Sequence, residues 1–237
     1  MPDPVFDQAE SFGIRQSLPD PLPPEPFALF RAWFDEAHAR KVQPNPNCMT
    51  LATIDPDGRP SARVVLCKGM DTAAGWIVFY TNRTSRKGGA LAAHPRAAAV
   101  FHWDDLDLQV RMEGPIVHSP DAESDAYFNS RHPASRIGAW ASDQSRPIGS
   151  RAELIAKVDA AARRLGVDLA NLDRATDPVI PRPPHWGGYR LWAQSVELWM
   201  GSDVRIHDRA VWTRSLTPHA GEAGFTAGPW SVTRLQP

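Results

Sequence analysis

Residues 50–67 read TLATIDPDGRPSARVVLC, and this stretch decides the fold of the chain. Thr50 to Asp55 is a short apolar run of the kind that forms a strand, and Arg63 to Cys67 is another. Between them lies PDGRP (residues 56–60), in which proline fixes φ and glycine accepts positive φ, as a tight turn requires. The two runs therefore predict an antiparallel β-hairpin.

The rest of the chain continues this pattern of short strands. Further strands are predicted at Trp76–Tyr80, Ala97–Trp103, Leu106–Met112, Tyr189–Trp199, Val204–Arg214 and Trp230–Leu235. Helices are predicted where Phe27, Phe30, Phe34 and Ala37 share a helical spacing, at Ser85–Ala93 with Thr84 or Ser85 as N-cap, at Ala122–Phe128 and at Arg151–Leu165. Close-set strands with few helices between them favour a mainly β fold, an antiparallel barrel with peripheral helices, over a doubly wound sheet.

The ends of the chain differ in composition from its middle. Residues 1–26 are polar and end in PDPLPPEP, which predicts an extended or mobile N-terminal arm. Residues 27–237 are then one domain. Residues 166–188 form a proline-rich loop, and Leu216 to Pro229 looks like an insertion between the last strands.

Composition limits the classes of function. The 237 residues carry a formal net charge of −1, so the chain is not attracted as a whole to nucleic acid or to an anionic membrane. An anionic ligand must then be held by a local basic cluster. The start of the chain lacks the pattern of a signal peptide and no run approaches 18 apolar residues, so a cytoplasmic protein with free thiols is expected. The eight histidines are scattered without H-E-x-x-H, and no C-x-x-C occurs, so no metal site is predicted.

Two basic clusters have the chemistry of phosphate sites. Arg63 and Lys68 lie on one strand, and Ser85-Arg86-Lys87 lies at a helix start, where free N–H groups attract anions. Tyr127 and Arg131 are four residues apart on a helix and share a face, with Ser135 close behind. For both clusters, an ordinary solvated surface is the alternative. The chain has no P-loop and no G-x-G-x-x-G motif.

The third cluster is Arg205-Ile-His-Asp-Arg209. In a strand, Arg205, His207 and Arg209 point to one face, where their charges repel unless an anion lies between them. A solvated edge strand is the alternative. Neutral or apolar residues elsewhere have weaker signals: Gln109, Gln144 and Ser145 suit the polar edge of a heterocycle, whereas Trp199 and Cys67 are typical of core packing.

Taken in order, these segments resemble the pyridoxine/pyridoxamine 5′-phosphate oxidase family. The matching motifs are Arg63-Val-Val-Leu-Cys-Lys68, Phe79-Tyr-Thr-Asn82, Ser85-Arg-Lys87, Tyr127-Phe-Asn-Ser-Arg131, Ile137-Gly-Ala-Trp140, Gln144-Ser145, Trp186-Gly-Gly188 and Arg205-Ile-His-Asp-Arg209. Each motif alone is weak, but the ordered set, which spans roughly residues 27–237, is specific.

The resemblance implies a split β-barrel and a homodimer that binds FMN at its interface. The positions implied for FMN are Arg63, Val64, Val65, Leu66, Cys67, Lys68, Tyr80, Thr81, Arg86, Lys87, Gln109, Gln144, Ser145, Trp199 and Arg209. Those implied for the substrate are Lys68, Tyr127, Arg131, Ser135, Arg205 and His207, the last two lying over its ring as the catalytic pair.

The implied reaction oxidises pyridoxamine or pyridoxine 5′-phosphate to pyridoxal 5′-phosphate. Hydride passes from the C4′ carbon to flavin N5, and O2 reoxidises the flavin and yields H2O2. In one respect the sequence departs from the family, whose N-terminal arm often carries an Arg and a Tyr that close over the substrate. Here the arm reads SFGIRQS (residues 11–17), so that only Arg15 is left to substitute.

Two alternatives stay open. One is a flavin oxidase of the same fold that acts on another ring, as in phenazine-forming relatives. The other is a flavin- or haem-binding module without turnover. Both predict loss of the phosphate-holding residues, which this sequence retains.

Overall fold

The computed structural model describes residues 16–172, 178–202, 205–220 and 223–237. Within these ranges the α-helices are α1 (Phe27–Arg40), α2 (Arg86–Ala93), α3 (Asp121–Ser130), α4 (Pro133–Ala141) and α5 (Arg151–Arg164). The first strands are β1 (Cys48–Ile54), β2 (Pro60–Leu66), β3 (Gly69–Asp71), β4 (Trp76–Asn82), β5 (Arg96–Trp103) and β6 (Leu108–His118). The later strands are β7 (Trp186–Trp192), β8 (Ser195–Met200), β9 (Asp208–Thr213), β10 (Leu216–Pro218), β11 (Phe225–Ala227) and β12 (Ser231–Leu235). Short 3₁₀ turns lie at Asp104–Leu106 and Leu169–Asn171.

The predicted hairpin is confirmed. Strands β1 and β2 pair antiparallel from Cys48↔Leu66 to Ile54↔Pro60. The turn between them closes with a 2.8 Å hydrogen bond from the Asp55 N–H to the Arg59 carbonyl, and Gly58 has φ +84°. This positive φ explains why glycine stands at the tip of the turn.

Strand β6 is the branch point of the sheet. One edge pairs with β5 along its length, whereas the other pairs with β8 over Leu108–Glu113 and with β7 over Ile116–His118. The branch lies at Gly114, where an added Cβ would come 1.9 Å from the Trp192 carbonyl oxygen. The close crossing of two backbones therefore requires glycine, and it splits the barrel into two arms.

The two arms make a split antiparallel β-barrel, as predicted. One path runs β12-β9-β8-β6-β5-β1-β2, and β7, β4 and β3 follow from the other part of β6. The alternate residues of β6 from Leu108 to Ile116 are buried. Helix α1, predicted from the spacing of Phe27, Phe30, Phe34 and Ala37, covers the sheet, with the Phe30 and Phe101 ring centroids 5.2 Å apart. Each fully buried side chain of this size contributes about 1.5–3 kcal/mol by leaving water.

Three predicted strands have clearly different bounds. The strand expected at Leu106–Met112 runs from Leu108 to His118. The single strand expected at Tyr189–Trp199 is two strands, because the chain turns at Ala193 and Gln194, where it crosses Gly114. The strand expected at Val204–Arg214 begins only at Asp208. Helix α4 was not predicted; its Pro133 start follows the His132 cap, a signal that periodicity alone does not show.

The segments outside the barrel are described in part. The region 216–229 holds the small β10–β11 hairpin, in which Phe225 packs edge-on against Trp192. Residues 1–15 of the arm, including Arg15, lie outside the described residues. The described remainder forms no helix or strand, yet Leu18 is buried and its N–H donates to the Asp208 carboxylate at 2.8 Å. No helix within the described ranges has the length and apolar character needed to cross a membrane.

Candidate active site

A polar cluster forms where helix α2 meets strand β4. Ser85 caps α2, its Oγ accepting from the Gly88 N–H at 3.3 Å. Lys87 follows the cap and turns inward. Its Nζ donates to Thr81 Oγ1 at 3.0 Å and to Gln144 Oε1 at 2.6 Å. The structure therefore brings three of the residues proposed for FMN into direct contact.

The charge of Lys87 has no opposing carboxylate in the described structure. The hydrogen-bond acceptors of Lys87 Nζ are all neutral oxygens, and Lys87 is only 9% exposed. Burial, and then the positive charge of Arg63, lower the pKa of Lys87 to about 8. A buried cation held this way is costly, and a bound anion would offset that cost.

Two arginines lie beside Lys87. Arg63, on the edge strand β2, donates to the Leu51 carbonyl at 3.2 Å, to Thr53 Oγ1 at 2.7 Å and to Ser61 Oγ at 2.6 Å. Burial lowers the pKa of this guanidinium. Arg86 pairs with Asp55 at 2.5 Å. An open cavity at this point is lined by Asp55, Ser85, Arg86, Ser145 and Arg146, among others.

An aromatic stack adjoins the polar cluster. The Tyr80 and Tyr127 rings lie 4.1 Å apart at 22°, and Trp186 stacks on Tyr80 at 5.5 Å. The Tyr80 hydroxyl donates to Glu123 at 3.2 Å. Burial, and then the Glu123 charge, raise the pKa of Tyr80, so it stays protonated at neutral pH. The stack is a rigid apolar wall with hydroxyl groups at its edge.

Two predicted substrate-binding cations lie against this stack. The Arg131 guanidinium is 4.9 Å from the Trp186 ring centroid, and Lys68 Nζ is 5.9 Å from that of Tyr127. Nη1 of Arg131 is buried without a hydrogen-bond partner among the described residues, and burial lowers the pKa of the group. A buried, unpaired guanidinium N–H is an unmet donor for an anion. Ser135 lies exposed near the start of α4.

The remaining predicted positions of the β2 segment differ in exposure. Val64 is 65% exposed on the outer face, while Val65 and Leu66 are half-buried. Cys67 is buried, and burial raises the pKa of its thiol to about 11, which makes it unreactive. These residues offer backbone and apolar surface rather than charge.

A second group, the outer-sheet set, contains Gln109, Trp199, His207 and Arg209. Register places Gln109, Trp199 and Arg209 side by side on β6, β8 and β9. Arg209 donates twice to Glu197, at 3.0 and 2.8 Å. The His207 ring lies 4.7 Å from Trp199, and its Nδ1 accepts from the Ser202 N–H at 3.1 Å. Since a backbone N–H only donates, the neutral His207 ring carries its proton on Nε2.

The prediction that Arg205, His207 and Arg209 share one strand face is wrong. Strand β9 begins at Asp208, and Arg205 has φ +64°, in the left-handed region. The Arg205 N–H instead donates to the Ser202 carbonyl at 3.0 Å. The Arg205 side chain is exposed, and His207 is placed by Trp199 rather than by strand alternation.

The aromatic stack and the outer-sheet set lie toward opposite ends of β6. Tyr189, near the aromatic stack, pairs with His118, whereas Met200, near the outer-sheet set, pairs with Leu108. His118 and Leu108 are ten positions apart, which is roughly 30 Å along an extended strand. Within the described residues, no hydrogen bond, ion pair or ring contact joins the outer-sheet set to the polar cluster or the stack. One chain alone therefore does not assemble the predicted site.

Three carboxylates that hold predicted site residues were missed from sequence. Asp55 pairs with Arg86, Glu123 bonds Tyr80, and Glu197 pairs with Arg209. Glu123 had a readable signal, because it lies four residues before Tyr127 on the same helix. Glu197 lies two residues before Trp199 on one strand and so shares its face.

Comparisons with known proteins identify the family of the chain. The family model described as pyridoxamine 5′-phosphate oxidase matches residues 34–163, and that of the pyridoxine 5′-phosphate oxidase C-terminal dimerisation region matches residues 186–237. A pyridoxine/pyridoxamine 5′-phosphate oxidase of Burkholderia orbicola is 50% identical over 214 residues, 90% of each chain. One of Burkholderia lata is 51% identical over 213 residues, 90% of this chain and 89% of the relative.

Solved structures place the fold in the same group. PhzG from Burkholderia lata, solved with tetrahydrophenazine-1-carboxylic acid, superposes with a TM-score of 0.77 at 30% identity, over 95% of this chain and 100% of that one. A pyridoxamine 5′-phosphate oxidase-related, FMN-binding protein of Nostoc punctiforme gives a TM-score of 0.62 at 18% identity, over 91% of this chain and 99% of that one, and so shows the fold alone.

Fold and comparisons together define an oxidoreductase built on a split β-barrel. More narrowly, the chain belongs to the pyridoxamine 5′-phosphate oxidase family.

Proposed function

We propose that this protein is an FMN-dependent oxidase that converts pyridoxamine or pyridoxine 5′-phosphate to pyridoxal 5′-phosphate. The observation that carries the proposal is the presence of two separate cations without carboxylate partners in the described structure, the buried Lys87 and the half-buried Arg131, whose Nη1 is buried and unpaired. Lys87 lies in the polar cluster and Arg131 against the aromatic stack. Two such sites fit one phosphate on the cofactor and another on the substrate.

The polar cluster fits the phosphate end of FMN. Lys87, Arg63 and Arg86 supply positive charge, and Ser85 and Ser145 line the same cavity as Arg86. The Thr81 and Gln144 side chains supply neutral hydrogen-bonding groups beside Lys87. These residues, with the backbone from Arg63 to Lys68, are proposed to hold FMN. The 50% identical relatives named as oxidases of this type support the assignment.

The substrate phosphate is proposed to bind against the aromatic stack. Arg131 offers its unpaired Nη1, Lys68 a second positive charge and Tyr127 a hydroxyl group, with Ser135 nearby on α4. This grip orients the pyridine ring and excludes water from the stacked face. Arg205 and His207 are proposed to cover the ring, Arg205 stabilising charge as it develops and His207 offering its Nε2 proton. When bound, FMN would supply the redox chemistry as acceptor of the C4′ hydride, with O2 as the final oxidant giving H2O2. With the amine substrate, the resulting imine would take up water and release ammonia to give the aldehyde.

A homodimer is proposed to complete the site. Arg63 of the polar cluster lies on the edge strand β2, and β1 and β5 lie between β2 and the strands of the outer-sheet set, so the two groups are separated across the sheet within one chain. The segment that contains Trp199, Arg205, His207 and Arg209 falls within the matched dimerisation region. A second copy would bring its outer-sheet set to the first copy's polar cluster, giving two equal sites about a two-fold axis.

A second candidate function is oxidation of a phenazine-type ring. The superposition on PhzG over 95% of this chain favours it. Such a substrate needs no phosphate site, however, whereas the stack presents the unpaired Arg131 donor together with Lys68. The same residues argue against a flavin-binding module without turnover.

Steady-state turnover separates these functions. The FMN-loaded protein is supplied in parallel with pyridoxamine 5′-phosphate, pyridoxine 5′-phosphate, their unphosphorylated forms and tetrahydrophenazine-1-carboxylic acid, and O2 uptake is recorded. We expect uptake with the phosphorylated vitamers and on the order of a hundred-fold or greater loss of kcat/KM without the phosphate. Uptake only with the phenazine precursor supports the second function, and no uptake with any compound supports the module without turnover.

A further inference from the structure

The carboxylate of Asp55 lies between the two arginines of the polar cluster. Its Oδ2 accepts from both Nε and Nη2 of Arg86, at 3.0 and 2.5 Å. Its Oδ1 accepts from the Ser61 hydroxyl at 3.4 Å, and that same oxygen of Ser61 accepts from Arg63 Nη2 at 2.6 Å. Asp55 is therefore connected directly to Arg86 and through one hydroxyl to Arg63.

Asp55 is buried with a fixed backbone, whereas the Arg86 side chain is long and exposed. Asp55 can therefore hold Arg86 in one orientation. Asp55 is only 5% exposed, and the β1–β2 turn fixes its backbone through the bond to the Arg59 carbonyl. The Arg86 side chain is 58% exposed and lines the open cavity with Ser85 and Ser145. A long exposed side chain loses much rotamer entropy when it binds a ligand, unless another contact has already ordered it.

The geometry leaves Arg86 free to bind an anion while Asp55 holds it. Asp55 takes the Nε–Nη2 edge of the planar guanidinium. Among the described residues, no hydrogen bond engages Nη1. Since a guanidinium carries five N–H donors in a fixed plane, the Nη1 side still presents donors.

We propose that Asp55 is a positioning residue that orders Arg86, and through Ser61 also Arg63, for the phosphate of a flavin mononucleotide. This inference rests on the proposed function. The inference predicts a change in FMN affinity on removal of the Asp55 charge, and this change is opposite in sign to the one expected from electrostatics alone. Removing a negative charge near a bound phosphate dianion should tighten binding, whereas removing an anchor should weaken it.

Titration of the apoprotein with FMN and with riboflavin, followed by flavin fluorescence, tests the inference. For Asp55→Asn we expect FMN affinity to fall on the order of ten-fold and riboflavin affinity to change less than about two-fold, because riboflavin lacks the phosphate. Asp57→Asn is the matched control. It removes the same charge from the same turn at the same cavity, but Asp57 pairs with Arg59 instead. We expect its FMN affinity to be unchanged or slightly tighter.

Thermal melting of each variant checks the fold. If Asp55→Asn does not fold, Ser61→Ala is used, which removes the hydroxyl that links Asp55 to Arg63, together with its 3.5 Å contact to Thr53 Oγ1. It is expected to weaken the binding of FMN but not of riboflavin, and unchanged FMN binding by this variant would count against the inference. Unchanged or tighter FMN binding by the folded Asp55→Asn variant, or equal loss of both flavins, would overturn the inference alone. Failure of the unsubstituted protein to bind FMN would overturn the proposed function as well.

Discussion

Lys87 is the residue whose charge state most directly controls the polar cluster. Burial and the charge of Arg63 lower its pKa from the ordinary value of 10.5 to about 8. Between these two pH values Lys87 is protonated in the unfolded chain but mostly neutral in the folded protein. The free energy of unfolding of the FMN-free protein therefore increases as pH rises from about 8 to 10. A phosphate dianion has the opposite preference, since it favours the charged ammonium.

FMN affinity is therefore predicted to fall as pH rises above about 8, by up to about ten-fold per pH unit while free Lys87 is losing its proton. Riboflavin affinity should stay flat over the same range, because no phosphate meets the ammonium. In Lys87→Met the pH dependence of FMN binding should vanish. Fluorescence titrations from pH 7 upward measure all three, and an unchanged slope in Lys87→Met would contradict the role given to this lysine.

Arg205 is predicted to act on turnover rather than on cofactor binding. Its side chain is exposed, and no hydrogen bond or ion pair engages it within the described residues, so it is free to contact a substrate. Arg205→Leu removes the charged guanidinium and leaves a shorter, apolar side chain on the backbone with φ +64°. We expect kcat to fall on the order of a hundred-fold, with FMN affinity within about three-fold of the original. Equal losses of both quantities would show that the assignment is wrong.

At the scale of elements, strand β7 approaches its neighbours through glycine. A Cβ on Gly188 would lie 2.1 Å from Ser119 Oγ and 2.8 Å from a ring carbon of Tyr80. Gly188→Ala is therefore predicted to displace the aromatic stack and to destabilise the fold by about 1–3 kcal/mol. The matched control is Gly138→Ala in helix α4, where an added Cβ meets nothing within 4 Å. There we expect a gain of about 0.5–1 kcal/mol. Chemical denaturation measures both, and equal stability of the two variants would contradict the packing argument.

Several elements that depend on neighbours in sequence were predicted, although helix α4 was not, and the breaks that depend on distant contacts were missed. The β1–β2 hairpin and the Ser85 cap follow from residues within a few positions of one another. The break between β7 and β8 depends on Gly114, which lies far away in sequence. The start of β9 depends on the left-handed backbone at Arg205. Arginine, unlike glycine, gives no sequence signal for a positive φ.

The candidate site shows the same division. The basic and aromatic residues were recognisable by type and order, but the carboxylates that hold them, such as Asp55 and Glu197, have partners on other strands or helices. Their roles depend on the strand pairing, which sequence patterns alone do not specify. The separation of the outer-sheet set from the aromatic stack likewise appears only in three dimensions.

At the scale of the whole molecule, the account requires that each site combine two chains. Arg131 lies by the aromatic stack and Arg205 beyond β8, at the other end of β6. Arg131→Leu and Arg205→Leu should each be nearly inactive alone. Random mixing of the two variant chains makes half of the dimers hybrid. In each hybrid one of the two sites carries both substitutions and the other carries neither, so about a quarter of full activity should return. The two variants are mixed, denatured and refolded together, and the activity of the mixture is measured. Activity no higher than that of the separate variants would mean that each site lies within one chain.

The proposed reaction requires that a phosphorylated B6 vitamer reduce the flavin that this chain is proposed to bind. A single-turnover experiment tests it most directly: the FMN-loaded protein is mixed with pyridoxamine 5′-phosphate without O2, and the visible absorbance of oxidised flavin is followed. The account predicts that the flavin bleaches fully, with about one pyridoxal 5′-phosphate formed per flavin, and that admitting O2 restores the absorbance. A flavin that stays oxidised in the presence of saturating pyridoxamine and pyridoxine 5′-phosphates would contradict it.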